Sequence, residues 1–358
     1  MGDLMKYSAI ATKIRAMESR LLKADDYRRL AAMESVPQAV AYLKKIPAYG
    51  VLLGSRDENQ LHRGEVERLL VGTLYYDYTK IYRFCDRGQK SVLKLYFSKF
   101  EIAVLKRAFR RAFNHGDRTG EEKEFRGTIQ KFTEIPLARL ADAVTVPEIL
   151  ETLKDTQYYR VLQKLENAEK AELFDYEMTL DLYYFSMIWK QKDRLLKGKD
   201  QELLTRSLGS KIDLLNMMWI YRAKKYYQLS EASTYTLLIP ITYRLHDSDI
   251  RSMVTAADEK ELEAAVRKTY YGKKFLELDG EKLEQMYHQF IRKIYGEEKR
   301  SNPYSMAVIT SYLYEKEREL DRLTTVLEGV RYGLPPGETL KYVEQSGDGS
   351  KSRGGSSK

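Results

Sequence analysis

Apolar residues recur three and four positions apart over long stretches of this chain, which is the pattern of amphipathic α-helices. Long helices are predicted to begin near Glu65 and near Ala171, and a weaker pattern runs from Leu283 to Tyr295. Convincing strand patterns are lacking, and glycine collects at predicted turns and toward the C-terminal end. The sequence therefore predicts an all-α protein.

The helical pattern is repeated three times. Segments 30–49, 140–159 and 250–271 share a marked central position, occupied by Pro37, Pro147 and Lys260, and each ends in tyrosine. The spacings are 147 − 37 = 110 and 260 − 147 = 113 positions. A repeat of this length is the size of a helical bundle and not of a short solenoid repeat. It predicts three similar helical-bundle units in a pseudo-threefold funnel.

The middle helix of each repeat carries its own start signal. Ser35 and Thr145 each stand two residues before a proline, which favours capping of a first helical turn. In the third copy, Asp258 and Glu261 have the spacing of a capping box. These signals predict helices that begin just after Ser35, Thr145 and Asp258.

A second repeated helix supports the same period but is displaced along the chain. Segments 100–110 and 212–222 align with each other and with 318–331, so that Glu101 corresponds to Glu319. Each is interpreted as a helix that starts with an acid and ends with cations, which would complement the helix dipole. Because the third copy lies at the end of the chain, we expect it to complete the first unit. The N- and C-terminal helices are therefore predicted to pack in the same unit.

The repeats define the predicted domain boundaries. Unit 1 covers 1–85 and is completed by the C-terminal helices of 303–343, unit 2 covers 86–196, and unit 3 covers 197–302. The Gly/Ser-rich stretch 344–358 has low complexity and is predicted to be a disordered tail.

Charge and composition narrow the class of protein. The chain has 358 residues and a net charge of +9, which favours acidic partners such as anionic lipid, nucleic acid or an acidic protein surface. Neither a secretory signal nor a membrane-length apolar stretch is recognisable. The single cysteine, Cys85, excludes an internal disulfide and is expected in the core.

Motifs for catalysis or cofactor binding are absent from the sequence. There is no P-loop and no dinucleotide-binding glycine motif. His62, His115, His246 and His288 are widely separated, and Glu297-Glu298 is interpreted as part of a solvated face. We therefore expect no enzyme activity, no cofactor, no metal and no small-molecule substrate.

Clusters of cations recur in the second helix of the repeat. Lys106 and Arg110 lie at the end of one copy, Arg222 and Lys224 lie at the end of the next, and Arg15 is the corresponding candidate in the first unit. One interpretation is that they are solvated cations that complement helix dipoles. The other is that they line one opening of a funnel and bind an acidic partner.

Four sequence blocks resemble the C subunit of the V/A-type rotary ATPases, whose equivalent in the eukaryotic vacuolar enzyme is the d subunit. They are the N-terminal segment 7–22, the block 100–106, the helix 145–153 with its tyrosines, and the C-terminal segments 302–306, 312–319 and 334–338. In this order they cover about residues 1–343.

The resemblance implies a function. It implies a non-catalytic central-stalk rotor subunit, peripheral on the cytoplasmic face of the membrane. The implied partners are the central-shaft subunits of D and F type, the membrane proteolipid ring and anionic lipid head groups, and not nucleic acid. Such a subunit would act as a socket between the central shaft and the proteolipid ring, and would couple ATP synthesis or hydrolysis to transport of hydrogen or sodium ions. The alternatives are a basic helical nucleic-acid-binding protein and an enzyme built in a helical-bundle core.

Overall fold

The computed structural model describes residues 2–114, 126–166, 171–274 and 283–347. It is 77% helical, and the described residues contain no strand, so the all-α prediction is confirmed. Residues 344–347 of the predicted tail 344–358 belong to the last helix, which corrects that part of the prediction. Residues 348–358, and His115, lie outside the described residues.

The helices of the described residues range from 4 to 28 residues in length. Up to position 153 they are α1 (Gly2–Glu18), α2 (Ala24–Ala31), α3 (Val36–Lys44), α4 (Pro47–Leu53), α5 (Arg63–Phe84), α6 (Arg87–Phe113), α7 (Arg126–Ile129), α8 (Leu137–Asp142) and α9 (Val146–Leu153). After it come α10 (Tyr159–Glu166), α11 (Leu173–Leu195), α12 (Gly198–Lys225), α13 (Glu231–Leu237), α14 (Asp247–Val254), α15 (Glu259–Lys268), α16 (Leu283–Ser301), α17 (Met306–Arg331) and α18 (Pro336–Gly347). A short 3-10 helix, Gly272–Lys274, follows α15.

The sequence repeat is visible in the order of these elements. Short helices are followed three times by a long helix that begins at Arg63, Leu173 or Leu283, evenly spaced along the chain. Each is followed in turn by a second long helix, namely α6, α12 or α17. The repeated pattern of apolar residues therefore corresponds to a repeated pattern of helices.

The predicted start signals cap the helices that they precede. Ser35 Oγ accepts a hydrogen bond from the backbone N–H of Gln38, and Thr145 Oγ1 accepts one from Glu148. Asp258 accepts from Glu261, whose carboxylate in turn accepts from the N–H of Ala257. Each cap satisfies N–H groups that the first turn of a helix leaves without a partner.

The chain forms two compact units. The terminal unit comprises residues 1–84 and 247–358, and the central unit comprises residues 85–246. In the terminal unit α17 packs against α1, α2, α3, α5 and α16, while α18 packs against α2, α16 and α17. The prediction that the N- and C-terminal helices share a unit is therefore confirmed, whereas the threefold funnel and the boundaries of its units stay predictions.

The central unit is organised around α6 and α11. These two long helices pack along each other, α9 contacts α6, and α10 and α12 contact α11. Phe109 of α6 stacks on Tyr176 of α11 with ring centroids 4.6 Å apart, and both side chains are buried. Cys85 is also buried, and burial raises the pKa of its thiol to about 12, so the prediction of a core cysteine is confirmed.

Candidate functional site

The terminal unit contains a buried polar cluster that joins its two ends. Glu319 of α17 accepts hydrogen bonds from the Tyr49 hydroxyl, from Lys316 Nζ at 2.7 Å and from the backbone N–H of Leu22 at 2.5 Å. Lys316 Nζ also donates to the Tyr49 hydroxyl at 3.0 Å. Lys316 and Glu319 are 1% and 4% exposed, so this ion pair is almost fully removed from water.

A second buried hydrogen bond links the same two parts of the chain. The Tyr312 hydroxyl of α17 donates to Asp77 of α5 at 2.5 Å, and Lys80 forms an ion pair with Asp77. Burial raises the pKa of Tyr49 and of Tyr312 far above the ordinary value, so both hydroxyls stay protonated and act as donors. Helix α17 is thus held to the N-terminal segment by directional hydrogen bonds as well as by apolar packing.

The central unit repeats the glutamate–tyrosine pair. The Tyr158 hydroxyl donates to Glu101 of α6 at 2.5 Å, in the buried interior of the unit. Burial raises the pKa of Glu101, while hydrogen bonds from Thr133 and Tyr158 oppose that shift. A pocket of about 340 Å³ is lined by Ser98, Glu101 and Tyr158. Glu101 and Glu319, which the sequence aligned, therefore have equivalent tyrosine partners.

The third aligned acid has a different partner. Asp213 of α12 is fully buried and accepts hydrogen bonds from the backbone N–H groups of Tyr243, Arg244 and Leu245 at 2.6–3.1 Å. The ring of Tyr243 lies so close to Gly209 that a Cβ there would come within 2.5 Å of it. Asp213 and Gly209 together hold the segment after α13 against α12.

The position of these acids corrects one interpretation made from the sequence. Glu101, Asp213 and Glu319 do not lie at helix N-termini, because α6, α12 and α17 begin well before them. They are buried in helix interiors and bind tyrosine hydroxyls or backbone N–H groups instead of complementing a helix dipole. An acid at one register position of an apolar helix, repeated three times, was the sequence signal for this role.

Glu298 provides a second correction. The sequence placed Glu297-Glu298 on a solvated face, but Glu298 of α16 is only 1% exposed. Its backbone carbonyl oxygen accepts a hydrogen bond from the backbone N–H of Asn302 at 2.9 Å, just after the end of α16.

Two of the predicted partner-binding cations lie on one face of α6. Lys106 forms an ion pair with Asp181, and Arg110 binds Glu177 through two hydrogen bonds, from Nε to Oε1 and from Nη2 to Oε2. The two acids lie four residues apart on α11, so the two ion pairs connect the helices one helical turn apart. The side chain of Arg110 is 55% exposed, and the pairing with Glu177 orients its guanidinium at the surface.

The other predicted cations lie at a helix end and on the first helix. Arg222 and Lys224 are half-buried in the last turn of α12, where positive charge complements the helix dipole. Arg15 is exposed in the last turn of α1, and it forms no ion pair or side-chain hydrogen bond with the described residues. The structure brings Lys106 and Arg110 together, while the joint action of all five cations stays a prediction.

The exposed surface beside this helix end is aromatic. Tyr226 and Tyr227 directly follow α12 and are 62% and 69% exposed. Lys225 Nζ lies 5.2 Å from the ring centroid of Tyr221 and 6.0 Å from that of Tyr226. Aromatic residues are enriched at protein-binding surfaces, and the sequence pattern did not distinguish these exposed tyrosines from buried ones.

Two kinds of feature are absent from the described residues. They contain no cluster of histidine, cysteine, aspartate and glutamate that could hold a metal ion. None of the described helices is long and apolar enough to cross a membrane. The candidate functional features are therefore the cationic helix ends and the repeated buried acids.

Comparisons with known proteins agree with the organisation of the chain. The profile of a family described as ATP synthase (C/AC39) subunit matches residues 10–342. The C subunit of the A-type ATP synthase of Methanocaldococcus jannaschii is 25% identical over 351 residues, covering 94% of this chain and 86% of that protein. The protein of the same name from Thermococcus kodakarensis is 24% identical over 343 residues, covering 94% of this chain and 90% of that protein. Because the family profile spans nearly the whole chain, this protein belongs to the ATP synthase (C/AC39) subunit family.

Proposed function

We propose that this chain is a non-catalytic central-stalk subunit of an A-type ATP synthase, and that it couples the central shaft to the membrane proteolipid ring. The family match over residues 10–342 is the observation that carries the proposal. The proposed partners are shaft subunits of D and F type, the proteolipid ring and anionic lipid head groups. The proposed location is the cytoplasmic face of the membrane, to which the protein is peripherally attached.

The architecture supports a mechanical role. A rotor coupler has to transmit torque without yielding, which favours cooperative helical units with directional contacts in their interiors. The Glu319 cluster and the Asp77–Tyr312 hydrogen bond supply such contacts within the terminal unit. The Asp213 contacts supply them within the central unit. The pseudo-threefold funnel, with three repeats around a socket, remains part of the proposal.

The cations support binding to an acidic partner. Arg15 and Arg110 are exposed, and Arg222 and Lys224 stand at a helix C-terminus. Complementary charge sets the register and the association rate of a complex more than its affinity. We propose that five cations contact acidic residues of the central-shaft subunits, namely Arg15, Lys106, Arg110, Arg222 and Lys224.

The test is a pull-down from detergent-solubilised membranes with tagged full-length protein, analysed by mass spectrometry and by an ATPase assay. We expect recovery of the proteolipid and of the D- and F-type subunits. Recovery of nucleic acid without ATPase subunits would contradict the proposal and favour the basic nucleic-acid-binding alternative.

Charge-reversal variants separate the role of the cations from the assembly as a whole. Arg15→Glu should weaken recovery of the shaft subunits, whereas Arg20→Glu makes the same change of charge at another exposed residue nearby and should not. Equal recovery with both variants would remove Arg15 from the proposed contact. Circular dichroism of each variant verifies that the helical fold is intact.

A further inference from the structure

The aligned helices α6 and α17 each contain a buried glutamate, and the residue three positions before that glutamate differs between them. Glu319 corresponds to Glu101, so Lys316, three residues before Glu319, corresponds to Ser98. In the terminal unit this position supplies an ammonium group to the glutamate–tyrosine pair. In the central unit it supplies only a small hydroxyl.

The ammonium group of the terminal unit is well defined. Lys316 Nζ donates to Glu319 Oε1 at 2.7 Å and to the Tyr49 hydroxyl at 3.0 Å, and it lies 4.3 Å from the centroid of the Tyr49 ring. The carboxylate, the phenol oxygen and the aromatic face together make a site for one primary ammonium ion. Charge-assisted hydrogen bonds and a cation–π contact both favour such an ion.

The central unit has the same acceptors without that ammonium group. The Ser98 hydroxyl donates to the carbonyl of Leu95, one turn back in its own helix. Glu101 forms no ion pair with the described residues, and its carboxyl group is hydrogen-bonded by the side chains of Tyr158 and Thr133. Ser98, Glu101 and Tyr158 all line the pocket of about 340 Å³, which is large enough for a small ligand.

We propose that this pocket of the central unit binds a primary ammonium group, which Glu101 and Tyr158 receive as Glu319 and Tyr49 receive Lys316. The ammonium belongs either to a free aliphatic amine or to a lysine side chain of another protein. This site is independent of the proposed coupling function, and failure of one does not affect the other.

The other charged groups of the pocket define its outer part. Lys94, Lys131 and Glu134 also line it and are exposed. Lys94 forms no ion pair with Glu101, so the position next to the carboxylate is not taken by a lysine of the pocket. A ligand that carries an anionic group beyond its ammonium would meet Lys94 and Lys131.

The pH dependence of binding follows from the groups that face Glu101. Burial raises the pKa of Glu101, Glu134 acts in the same direction, and Thr133, Tyr158 and Lys94 oppose it. Tyr183 stays protonated because burial and Glu101 raise its pKa. An ammonium ion binds the ionised carboxylate, so the affinity should increase with pH as Glu101 loses its proton. At a pH where Glu101 is still protonated, binding should release a proton.

The test is isothermal titration calorimetry of the full chain with n-butylammonium chloride. The wild-type protein and Ser98→Ala should both bind saturably, because alanine leaves the space open. Ser98→Lys should place an ammonium where Lys316 has it and weaken binding at least about tenfold. Glu101→Gln, which removes the charge with little change of shape, should have a similar effect, as expected for loss of a charge-assisted hydrogen bond.

Two further probes distinguish the ligand class and its source. Tetramethylammonium cannot donate hydrogen bonds and should bind at least about tenfold more weakly than n-butylammonium. Nα-acetyl-lysine methylamide binds with similar affinity if a lysine side chain of a partner can enter, and more weakly if only a free amine can.

The outcomes are decisive for the proposal. It is overturned if the wild-type protein shows no saturable binding at millimolar n-butylammonium, if Ser98→Lys binds as wild type does, or if tetramethylammonium binds equally well. Circular dichroism verifies that each variant is folded, and Glu101→Gln keeps the test valid if Ser98→Lys does not fold.

Discussion

At the scale of single residues, the repeat places one buried acid in the second long helix of each copy, and the surrounding side chains determine its role. Glu319 has an ammonium ion and a tyrosine, Glu101 has a tyrosine beside a pocket, and Asp213 has three backbone N–H groups. A buried carboxylate needs such partners because burial disfavours its charged form. The difference among the three sites is therefore set by the side chains around a common acid.

Lys316 is expected to contribute strongly to the stability of the terminal unit, because its ion pair with Glu319 is buried. Lys316→Met should lower the free energy of unfolding by about 3–5 kcal/mol, because it leaves Glu319 buried without its counter-ion. Chemical denaturation monitored by circular dichroism measures the change. The double variant Lys316→Met with Glu319→Gln should recover more than half of the loss, since no charge then remains unpaired. A loss below about 1 kcal/mol in the single variant would show that the ion pair adds little.

His288 gives the terminal unit a dependence on pH. Burial, with the nearby charges of Arg318 and Arg322, lowers the pKa of His288 from 6.5 to about 4. Between these values the unfolded chain binds a proton at His288 and the folded chain does not. The contribution of His288 to the free energy of unfolding should therefore be fully present above pH 6.5. It should decrease as the pH falls toward 4, by at most about 3 kcal/mol in total.

The contribution of His288 is isolated by a substitution that cannot titrate. The free energy of unfolding, measured by denaturation at a series of pH values, should fall less steeply for His288→Gln than for wild type between pH 6.5 and pH 4. Parallel pH dependences would mean that other groups, such as buried carboxyls, cause the acid sensitivity.

At the scale of elements, α6 and α11 are joined by an apolar interior and by two ion pairs, of which Arg110–Glu177 is the more exposed and Lys106–Asp181 is half-buried. Phe109 and Tyr176 stack in the interior, and Lys106–Asp181 and Arg110–Glu177 lie along the edge. Exposed ion pairs contribute little to stability, since water and salt screen them. Arg110 can therefore be changed without unfolding the helices.

We expect Arg110→Ala to lower the free energy of unfolding by less than about 1 kcal/mol. A double-mutant cycle with Glu177→Ala measures the coupling between the two side chains, which should decrease in high salt. A loss above about 2 kcal/mol would show that Arg110 serves the packing of α6 and α11, and the residue would then be unsuitable for tests of partner binding.

The elements could be predicted from the sequence to different extents. The capped starts at Ser35, Thr145 and Asp258 depend on local chemistry, so the sequence was sufficient to place them. The pairing of Glu101 with Tyr158 was not predictable, because the repeat aligns Tyr49 with either Tyr158 or Tyr159 and only the turn after α9 determines which hydroxyl reaches the acid. The acids Asp181 and Glu177 also became visible as partners only when α11 was placed against α6.

The same distinction applies to the candidate binding residues. The sequence identified Arg110 and Arg222 by their recurrence at helix ends, and both lie in the last turns of α6 and α12. It did not identify Tyr226 and Tyr227, because whether an aromatic residue is buried or exposed depends on which neighbours cover it. Recurrence along a chain reveals equivalent backbone positions, whereas exposure is decided by long-range packing.

At the scale of the whole molecule, the terminal unit is assembled from both ends of the chain. The contacts of Glu319 with Leu22 and Tyr49, and of Tyr312 with Asp77, join residues separated by more than two hundred positions. Such contacts require closure of a long loop before they form, and the loop entropy opposes them. The terminal unit should therefore depend on its C-terminal helices far more than the central unit does.

Removal of residues 303–358 tests this dependence, because it deletes α17 and α18. Hydrogen exchange measured by mass spectrometry should show that α2 to α5 lose protection, since the buried faces that α17 covers become exposed to water. Helices α9 to α11 belong to the central unit, whose interior is formed by α6 and its own neighbours, and they should keep most of their protection. A matched control lacks only residues 348–358 and should exchange as the full chain does. If α2 to α5 stay protected without α17, the N-terminal helices have a core of their own, and the stability of the terminal unit does not depend on its C-terminal helices.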